Sequence, residues 1–201
     1  MAKAMIKLGI TGGIGSGKSL VSRILTALGV PIYDSDAESK RLTATDAGIR
    51  SQLCSLVGSQ VYDAEGRLNK QVLASYLFCS DEHAAQVNAI IHPVVKADFR
   101  KWAERRAGEG HPVCAIESAI LFEARFLDVV DKVLVVSAPV EVRVERTMRR
   151  DQASREAVLA RVNRQMDDAE RESRADFVIV NDGKRQLIPQ VSAVISSLLE
   201  K

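Results

Sequence analysis

The sequence has few of the features that mark secreted, membrane-spanning or nucleic-acid-binding proteins. Its three cysteines, Cys54, Cys79 and Cys114, are widely spaced and form no C-x-x-C pair, which predicts reduced thiols in a reducing compartment. No segment approaches the roughly 18 consecutive apolar residues of a membrane span, and the opening stretch Met1–Ala4 is too short for a signal peptide. The 28 basic and 26 acidic residues leave a formal net charge of +2, which gives no reason to expect nucleic acid or a membrane surface as a partner. These absences together predict a cytoplasmic protein.

Repeats, linkers and low-complexity segments are also lacking, so the 201 residues predict one unit with a real core. Hydrophobic residues make up 46% of the chain and charged residues 27%, which is ordinary for a globular protein. We expect a monomer or a weak homo-oligomer.

The strongest positive signal is a glycine-rich segment near the start. The pattern G-x-x-x-x-G-K-S is formed by Gly12, Gly13, Ile14, Gly15, Ser16, Gly17, Lys18 and Ser19. An apolar run over 5–11 predicts a strand before it, and apolar spacing over about 18–28 predicts a helix after it. In this strand–loop–helix context the pattern indicates a P-loop rather than a chance Gly/Ser turn. The glycines let backbone N–H groups surround phosphate oxygens, Lys18 can reach the β- and γ-phosphates, and the Ser19 hydroxyl can bind Mg²⁺.

Two carboxylates follow the second predicted strand, 30–33. Asp34 and Asp36 come directly after it and before a helix, so a parallel sheet would place them at the same edge as the phosphate loop. One interpretation makes them helix caps, since Asp is a favoured N-cap residue. The other makes at least one of them catalytic or substrate-binding, because phosphoryl transfer to a hydroxyl needs an acid there. We expect one of the two to cap and at least one to be functional.

The alternation of strands and helices lapses between about 43 and 110, where the pattern becomes helical. The candidate helices are 46–56, 69–78 and 81 to about 107, the last interrupted near His92-Pro93. A helical insertion of this length predicts a substrate-binding appendage. From the residues alone, Pro93 is expected to start a new helical turn while His92 caps or packs, and a binding role for the pair is the alternative.

The strand pattern resumes after the insertion. Apolar runs predict three further strands over 113–116, 132–136 and 176–180. Glu117 follows the first of these strands, where it could hold Mg²⁺ through water or serve as a capping or surface acid, and a short helix is predicted over 119–123. The last strand ends in a turn at Asn181 and Gly183, where a nucleotide base could rest against the backbone.

An arginine-rich stretch follows the fourth strand, with acidic residues interleaved throughout. A solvated face paired with its own acids explains most of these arginines. Arg143, Arg146 and Arg150 nevertheless recur at helical spacing on one face and lead into a break at 151–154. Because planar guanidinium groups suit the charge on a transferring phosphoryl group, we expect Arg146 and Arg150 to be functional. Residues from about 151 to 173 then predict a hinged lid over the nucleotide.

P-loops serve motors, switches and small-molecule kinases, so the loop alone does not decide the class. A GTPase switch needs N-K-x-D after a strand, and the nearest string, Asn69–Val72, lacks the aspartate. Asp63–Gly66 fits the loose switch motif D-x-x-G, but it lies in a polar turn of the helical insertion. A transporter or helicase ATPase would show an apolar strand ending in Asp-Glu, which we do not find. The remaining features favour a small-molecule or nucleotide kinase.

Seven segments in order along the chain, from Ile6 to Gly183, resemble the dephospho-coenzyme A kinase family. They are Leu8–Ser19, Asp34–Asp36, Gly66–Leu68, Ile91–Pro93, Leu121–Glu123, Arg146–Asp151 and Asn181–Gly183. The chain departs from the usual family pattern at Leu20, where threonine is usual, and at Ala119-Ile120, where a proline precedes the Leu-Leu-Phe-Glu motif.

The resemblance implies an α/β, three-layer P-loop NTPase fold with a five-stranded parallel sheet, a helical coenzyme-binding insertion and a lid. On this interpretation the chain divides into a core (1–42, 111–150 and 174–201), an insertion of about 43–110 and a lid of about 151–173. The implied reaction is the ATP-dependent phosphorylation of the ribose 3′-hydroxyl of dephospho-coenzyme A, with Mg²⁺, to give coenzyme A and ADP. This is the last step of coenzyme A biosynthesis.

The resemblance also implies roles for single residues. Asp36, the second acid of the D-x-D pattern, becomes the general base. The substrate contacts are Asp34, Asp36, His92, Pro93 and Glu117. Charge on the γ-phosphoryl group would be neutralised by Lys18, by Mg²⁺ on Ser19, and by Arg146 and Arg150. The alternatives left open are a hydroxyl kinase for a nucleoside or sugar acid, and a non-catalytic nucleotide-dependent switch.

Overall fold

The computed structural model describes residues 4–200, and its centre is a five-stranded sheet in which every paired strand is parallel. The strands are β1 (Ile6–Thr11), β2 (Ile32–Asp34), β3 (Val113–Glu117), β4 (Lys132–Ser137) and β5 (Phe177–Val180). Their spatial order is β2-β3-β1-β4-β5. The predicted five-stranded parallel sheet is therefore confirmed, with β1 and the loop that follows it at the centre. Met1, Ala2 and Lys3, part of the stretch judged too short for a signal peptide, lie outside the described residues.

The alternation of side chains along β1 explains how the sheet is covered on both faces. Leu8 and Ile10 are fully buried in a cluster that also contains apolar residues of two helices, α1 (Lys18–Ala27) and α9 (Leu187–Leu199). Gly9, between them, points to the other face, where a Cβ would lie 2.9 Å from the Leu121 side chain. The near-continuous apolar sequence of β1 follows from this double burial.

The chain forms two compact units. One contains the sheet and comprises the chain up to Asp34 and from Trp102 onward. Its remaining helices are α6 (Val140–Asp151), α7 (Arg155–Val162) and α8 (Asp168–Ser173). The bounds of core, insertion and lid given above divide the chain by function and stay a prediction.

The second unit, Ser35–Lys101, is helical. Its helices are α2 (Ser35–Thr45), α3 (Ala47–Val57), α4 (Lys70–Leu77) and most of α5 (Asp81–Gly108). Asp46 and Asn69, expected inside helices, instead cap α3 and α4, because their side chains accept hydrogen bonds from the first-turn N–H groups.

The predicted interruption at His92-Pro93 is wrong, because α5 continues through Pro93. Proline removes one backbone hydrogen bond and crowds the preceding turn. Buried apolar residues recur every four positions on both sides of it, at Val87, Ile91, Val95 and Phe99. Packing along this one face stabilises the helix through the proline.

The short helix predicted over 119–123 is also wrong. Residues 119–125 form turns, followed by a 3₁₀ helix over Phe126–Val129. Leu121 and Phe122 are buried there, Leu121 beside Gly9 of the sheet and Phe122 beneath the Arg174 guanidinium, so their apolar character reflects burial rather than a helix. Between residues 4 and 200, no helix is both long and apolar enough to cross a membrane.

Candidate phosphate-binding site

The loop between β1 and α1 has three glycines with positive φ angles that other residues rarely adopt, Gly12, Gly15 and Gly17. Gly15 has φ +76°, in the left-handed region, and a Cβ there would lie 2.4 Å from the Arg143 carbonyl oxygen. A side chain would therefore strain the backbone and strike helix α6 at once. The loop enters α1 directly, since the helix begins at Lys18.

Gly13 is constrained by contact rather than by its backbone angle. A Cβ at Gly13 would lie 2.0 Å from Nη1 of Arg143, so the guanidinium group occupies the space that a side chain would need. The Arg143 side chain is 2% exposed, donates from Nε to the Ala138 carbonyl at 3.1 Å, and forms an ion pair with Asp168. Burial lowers the pKa of Arg143, which the Asp168 charge opposes and the Arg171 charge reinforces.

Arg171 shares the same carboxylate. It donates to Asp168 at 2.6 Å and to the Met166 carbonyl at 2.5 Å, and its side chain is 3% exposed. Two buried arginines thus share one aspartate beside the phosphate loop. They line a cavity of about 430 Å³, together with Gln165, Asp168 and residues of α6 and α7. The lining also contains Asp167, so its two arginines and two aspartates carry no net formal charge.

The Ile14 amide of the P-loop has a side-chain partner from a distant part of the chain. The Ile14 N–H donates to Oε1 of Gln165 at 2.7 Å. Gln165 lies between α7 and α8, far along the chain from the loop. The segment that precedes α8 therefore touches the phosphate loop directly.

The carboxyl ends of three strands bring candidate metal and substrate residues together. In the sheet register, Asp34 of β2 lies opposite Glu117 of β3, which lies opposite Ile10 of β1. The Ser19 hydroxyl donates to Oε1 of Glu117 at 2.8 Å. The Lys18 ammonium donates to the Gly12 carbonyl at 3.0 Å, so it curls over the loop. The structure thus brings Ser19 and Glu117 into contact and sets Asp34 opposite Glu117 at this edge of the sheet.

The donor set at Ser19 fits magnesium better than softer ions. It offers a hydroxyl and a carboxylate oxygen, which are the hard ligands that Mg²⁺ prefers alongside water and substrate phosphates. No group of three or more His, Cys, Asp or Glu side chains with metal-site geometry occurs among residues 4–200.

Arg146 and the turn at Asn181 adjoin each other. Arg146 donates to the Asn181 carbonyl at 3.0 Å, and a Cβ at Gly183 would lie 3.7 Å from its Nη2. The Asn181 side chain is buried and donates to the Ser16 carbonyl at 2.7 Å. The turn predicted to face a nucleotide base therefore also holds the phosphate loop through a hydrogen bond from Asn181.

Arg150 is engaged elsewhere. Its guanidinium donates to both carboxylate oxygens of Asp151, at 2.7 and 3.2 Å, and Arg161 of α7 donates to the same carboxylate at 2.6 Å. The Arg150 side chain is 60% exposed. The structure thus joins the end of α6 to α7 through Asp151.

The remaining predicted residues belong to the helical unit. Asp36 is the second residue of α2, which begins directly after β2. His92 and Pro93 lie in the middle of α5. Burial lowers the pKa of His92, and the nearby charge of Lys96 adds to this effect, so the neutral imidazole is favoured.

Sequence reasoning missed Gln165, Asp168 and Arg171 as residues of the phosphate-loop surroundings. Gln165 carries no motif of its own, and the two charged residues are hidden among many others in the same stretch. Arg143 carried a signal, since it shares the helical spacing of Arg146 and Arg150. The sequence does not show that its side chain is the buried one of the three.

A central parallel strand, a phosphate loop leading into a helix, and arginines on a following helix define a P-loop kinase. The dephospho-CoA kinase family model matches residues 6–186. The chain belongs to the dephospho-CoA kinase family.

The similarity to members of this family extends over almost the whole chain. The chain is 54% identical over 196 residues to the dephospho-CoA kinase of Bacteroides fragilis strain YCH46, covering 98% of this chain and 94% of that protein. The crystal structure of TT1252 from Thermus thermophilus matches with a TM-score of 0.81 and 34% identity, covering 98% and 99% of the two chains. The dephospho-CoA kinase of Campylobacter jejuni matches with a TM-score of 0.69 at 23% identity, covering 96% and 97%, and this likeness supports the fold.

Proposed function

We propose that this chain transfers the γ-phosphoryl group of ATP to the ribose 3′-hydroxyl of dephospho-coenzyme A, which gives coenzyme A and ADP as the final step of coenzyme A biosynthesis. Family membership supports the reaction and the use of ATP. The observation in the structure that carries the proposal is the contact between Ser19 and Glu117 at the mouth of the phosphate loop. It sets two hard oxygen ligands where the metal of a phosphoryl-transfer site is expected.

The loop itself would bind the triphosphate. Its backbone N–H groups and the N-terminus of α1 suit phosphate oxygens, and Lys18 lies over the loop in position to exchange the Gly12 carbonyl for phosphate. Ser19 and Glu117 would hold Mg²⁺, which when bound neutralises charge on the β- and γ-phosphates. Asn181 and Gly183 would flank the base.

The acceptor would be activated by Asp36. Its carboxylate would orient the 3′-hydroxyl and accept the proton as the oxygen attacks the γ-phosphorus. Arg146 and Arg150 would stabilise charge on the transferring group. Arg150 would need to leave Asp151 to do so.

The helical unit would hold the coenzyme, with His92 and Pro93 among its contacts and Asp34 and Glu117 at the sheet edge. A neutral His92, favoured by its burial, can donate one hydrogen bond and accept another. We also propose a cytoplasmic protein that is a monomer or a weak homo-oligomer and has no nucleic-acid partner, as the near-balanced charge suggests.

The reaction is tested by measuring ADP release from ATP and Mg²⁺ with and without dephospho-coenzyme A, and by weighing the acceptor product for one added phosphate. Asp36→Asn should reduce turnover by about 10²-fold or more while ATP affinity stays near that of the unchanged protein. Asp46→Asn is the matched control, because Asp46 only caps α3 and asparagine caps a helix equally well, so turnover and stability should both stay near those of the unchanged protein. Near-normal turnover of Asp36→Asn would exclude Asp36 as the base. ADP release without acceptor dependence would exclude the proposed substrate, and nucleosides and sugar acids would then be tested.

A further inference from the structure

The peptide between Ser16 and Gly17 in the phosphate loop is held by a side chain from the turn after β5. The Asn181 carboxamide donates from Nδ2 to the Ser16 carbonyl at 2.7 Å. This peptide is trans, and the C=O and N–H bonds of a planar trans peptide point in opposite directions, so the Gly17 N–H points away from Asn181. Because Gly17 is the N-cap of α1, its N–H is one of those that no carbonyl of the helix satisfies and that suit phosphate oxygens.

The backbone on both sides of this peptide leaves its orientation open. Gly15 and Gly17 have φ of +76° and +95°, and glycine adopts positive and negative φ about equally readily. The Ser16 hydroxyl is buried and has no hydrogen-bond partner among residues 4–200, so the residue's own side chain does not fix its carbonyl. The hydrogen bond from Asn181 therefore selects one of the orientations that the glycines permit.

Asn181 is itself fixed by its surroundings. The residue is 7% exposed, its N–H donates to the Ser137 carbonyl at the end of β4 at 2.7 Å, and its carbonyl accepts from Arg146 at 3.0 Å. It approaches the loop closely, since a Cβ at Gly17 would lie 2.2 Å from its Nδ2. A carboxamide that is held by the sheet and by α6 in this way is suited to orienting the peptide that it contacts.

We propose that Asn181 is a positioning residue for the nucleotide phosphates, and that its side chain acts by orienting the Gly17 N–H rather than by reading the base. The inference rests on the proposed function, which places the nucleotide phosphates in this loop. Loss of the carboxamide leaves the Ser16 carbonyl without its donor and frees the peptide to rotate. Phosphate binding must then order the peptide, and this cost is the same whatever base the phosphates carry.

The test compares the affinity of the full-length protein for ADP with its affinity for inorganic pyrophosphate, which has phosphates but no base. ADP binding is measured by calorimetric titration, and pyrophosphate binding by displacement of ADP. Asn181→Leu keeps a similar shape and removes the donor, and it should weaken both ligands by the same factor of roughly ten, the effect of one hydrogen bond to a charged group. Weaker ADP binding with unchanged pyrophosphate binding would show that the side chain acts on the base, which overturns the proposal, as would unchanged binding of both.

Gln190→Leu is the matched control, because Gln190 carries the same carboxamide group beside the same strand end. Its side chain accepts from the Val180 N–H at 2.9 Å and donates to the Val180 carbonyl at 3.1 Å. Gln190→Leu should lower stability and leave both affinities unchanged. Equal weakening in Gln190→Leu and Asn181→Leu would trace the effect to the strand end as a whole and overturn the proposal. Asn181→Ala, which adds no bulk, supplies the same comparison if Asn181→Leu does not fold.

Lys18→Ala distinguishes failure of this inference from failure of the proposed function. Loss of ADP and pyrophosphate binding in Lys18→Ala places the phosphates in the loop, and the Asn181 variants then decide the inference alone. ADP binding that survives Lys18→Ala would overturn the nucleotide role of the loop and the inference with it.

The resonances of the Ser16 carbonyl carbon and the Gly17 amide give a readout that a purely structural role would not move. In the nucleotide-free protein, Asn181→Ala should shift both resonances, since the two groups share the peptide that loses its donor. Gln190→Leu should leave both in place. Resonances of Asn181→Ala that coincide with those of the unchanged protein would show that the side chain does not orient this peptide, which overturns the proposal.

Discussion

The two ends of helix α6 carry the same residue type in opposite surroundings. Near the N-terminus, Arg143 is 2% exposed, lies against Gly13 and shares Asp168 with a second buried arginine. At the C-terminus, Arg150 is 60% exposed and is paired with Asp151. Burial lowers the pKa of the first guanidinium, whereas the hydrogen bond to Asp151 raises that of the second.

The difference teaches that one helical face can hold arginines with separate tasks. The buried Arg143 guanidinium is fixed in one orientation by the Ala138 carbonyl and the Asp168 carboxylate. Arg143 is therefore suited to shaping the phosphate loop. An exposed guanidinium with one exchangeable partner can move to a substrate, so Arg150 suits charge stabilisation during transfer. Loss of Arg150 should therefore affect rate, and loss of Arg143 should affect stability.

The largest expected effect is on the rate when Arg150 is removed. Arg150→Met should lower kcat roughly 10³-fold, because it removes a cation from the charge that develops on the phosphoryl group. The free energy of unfolding should change by less than about 1 kcal/mol, since the lost ion pair is exposed. Steady-state kinetics and urea unfolding measure the two quantities. Arg149→Met, at the neighbouring exposed arginine, should retain kcat, and a kcat for Arg150→Met within tenfold of normal would contradict the proposed role.

The next effect is on stability at the other end of the helix. Arg143→Met should reduce the free energy of unfolding by about 2 kcal/mol, because it removes a buried hydrogen bond to the Ala138 carbonyl and an ion pair with the partly exposed Asp168, which keeps Arg171 as a partner. Gly13→Ala should cost roughly 1–3 kcal/mol, since its Cβ would lie 2.0 Å from the Arg143 guanidinium. The double variant should lose at least about 1 kcal/mol less than the sum of the two changes. Urea unfolding of all three proteins measures this coupling.

A control glycine separates steric clash from any general effect of alanine. Gly108 lies at the end of α5, and the position that a Cβ would take there is open space. Gly108→Ala should therefore change stability by no more than about 1 kcal/mol. Strict additivity of Gly13→Ala and Arg143→Met would contradict the direct contact between the loop and α6.

The smallest expected effect is on the acid dependence of stability at the exposed end. Hydrogen bonds from Arg150 and then Arg161 hold the pKa of Asp151 well below its usual range. A carboxyl with a lowered pKa contributes stability that is present above its unfolded-state pKa of about 4 and is lost as the pH falls through its folded-state pKa. Asp151→Asn should therefore flatten the loss of stability below about pH 4. Unfolding curves across this range measure it, with Glu145→Gln as a control on the same helix, and equal slopes for Asp151→Asn and the unchanged protein would refute it.

Much of the fold could be predicted because its signals are local. The strand bounds agree with the apolar runs to within about two residues, and the phosphate loop is a continuous pattern of eight residues in its expected context. The long helix α5 was interrupted in the prediction because local rules end helices at proline. The buried face from Val87 to Phe99 overrides that rule through packing, which a local pattern does not weigh.

The surroundings of the phosphate loop could not be predicted in the same way. The Gln165 contact with Ile14 joins residues that are far apart in sequence, and a lone glutamine carries no spacing that would reveal it. The arginine spacing on α6 was visible, but burial distinguishes Arg143 from Arg150 and depends on which elements pack against the helix. The sequence therefore predicts the phosphate loop, whereas the residues that pack against the loop are known only from the structure.

The central place of β1 in the sheet has a consequence for the order in which the protein is made. Ile6 of β1 pairs with Val113 of β3, and Leu8 pairs with Lys132 of β4. Such pairings between distant parts of a chain form slowly, because long loops must close before the contacts stabilise them. The phosphate loop is therefore synthesised before β3 and β4, and the strand that supports it gains both neighbours only after β4 has been synthesised.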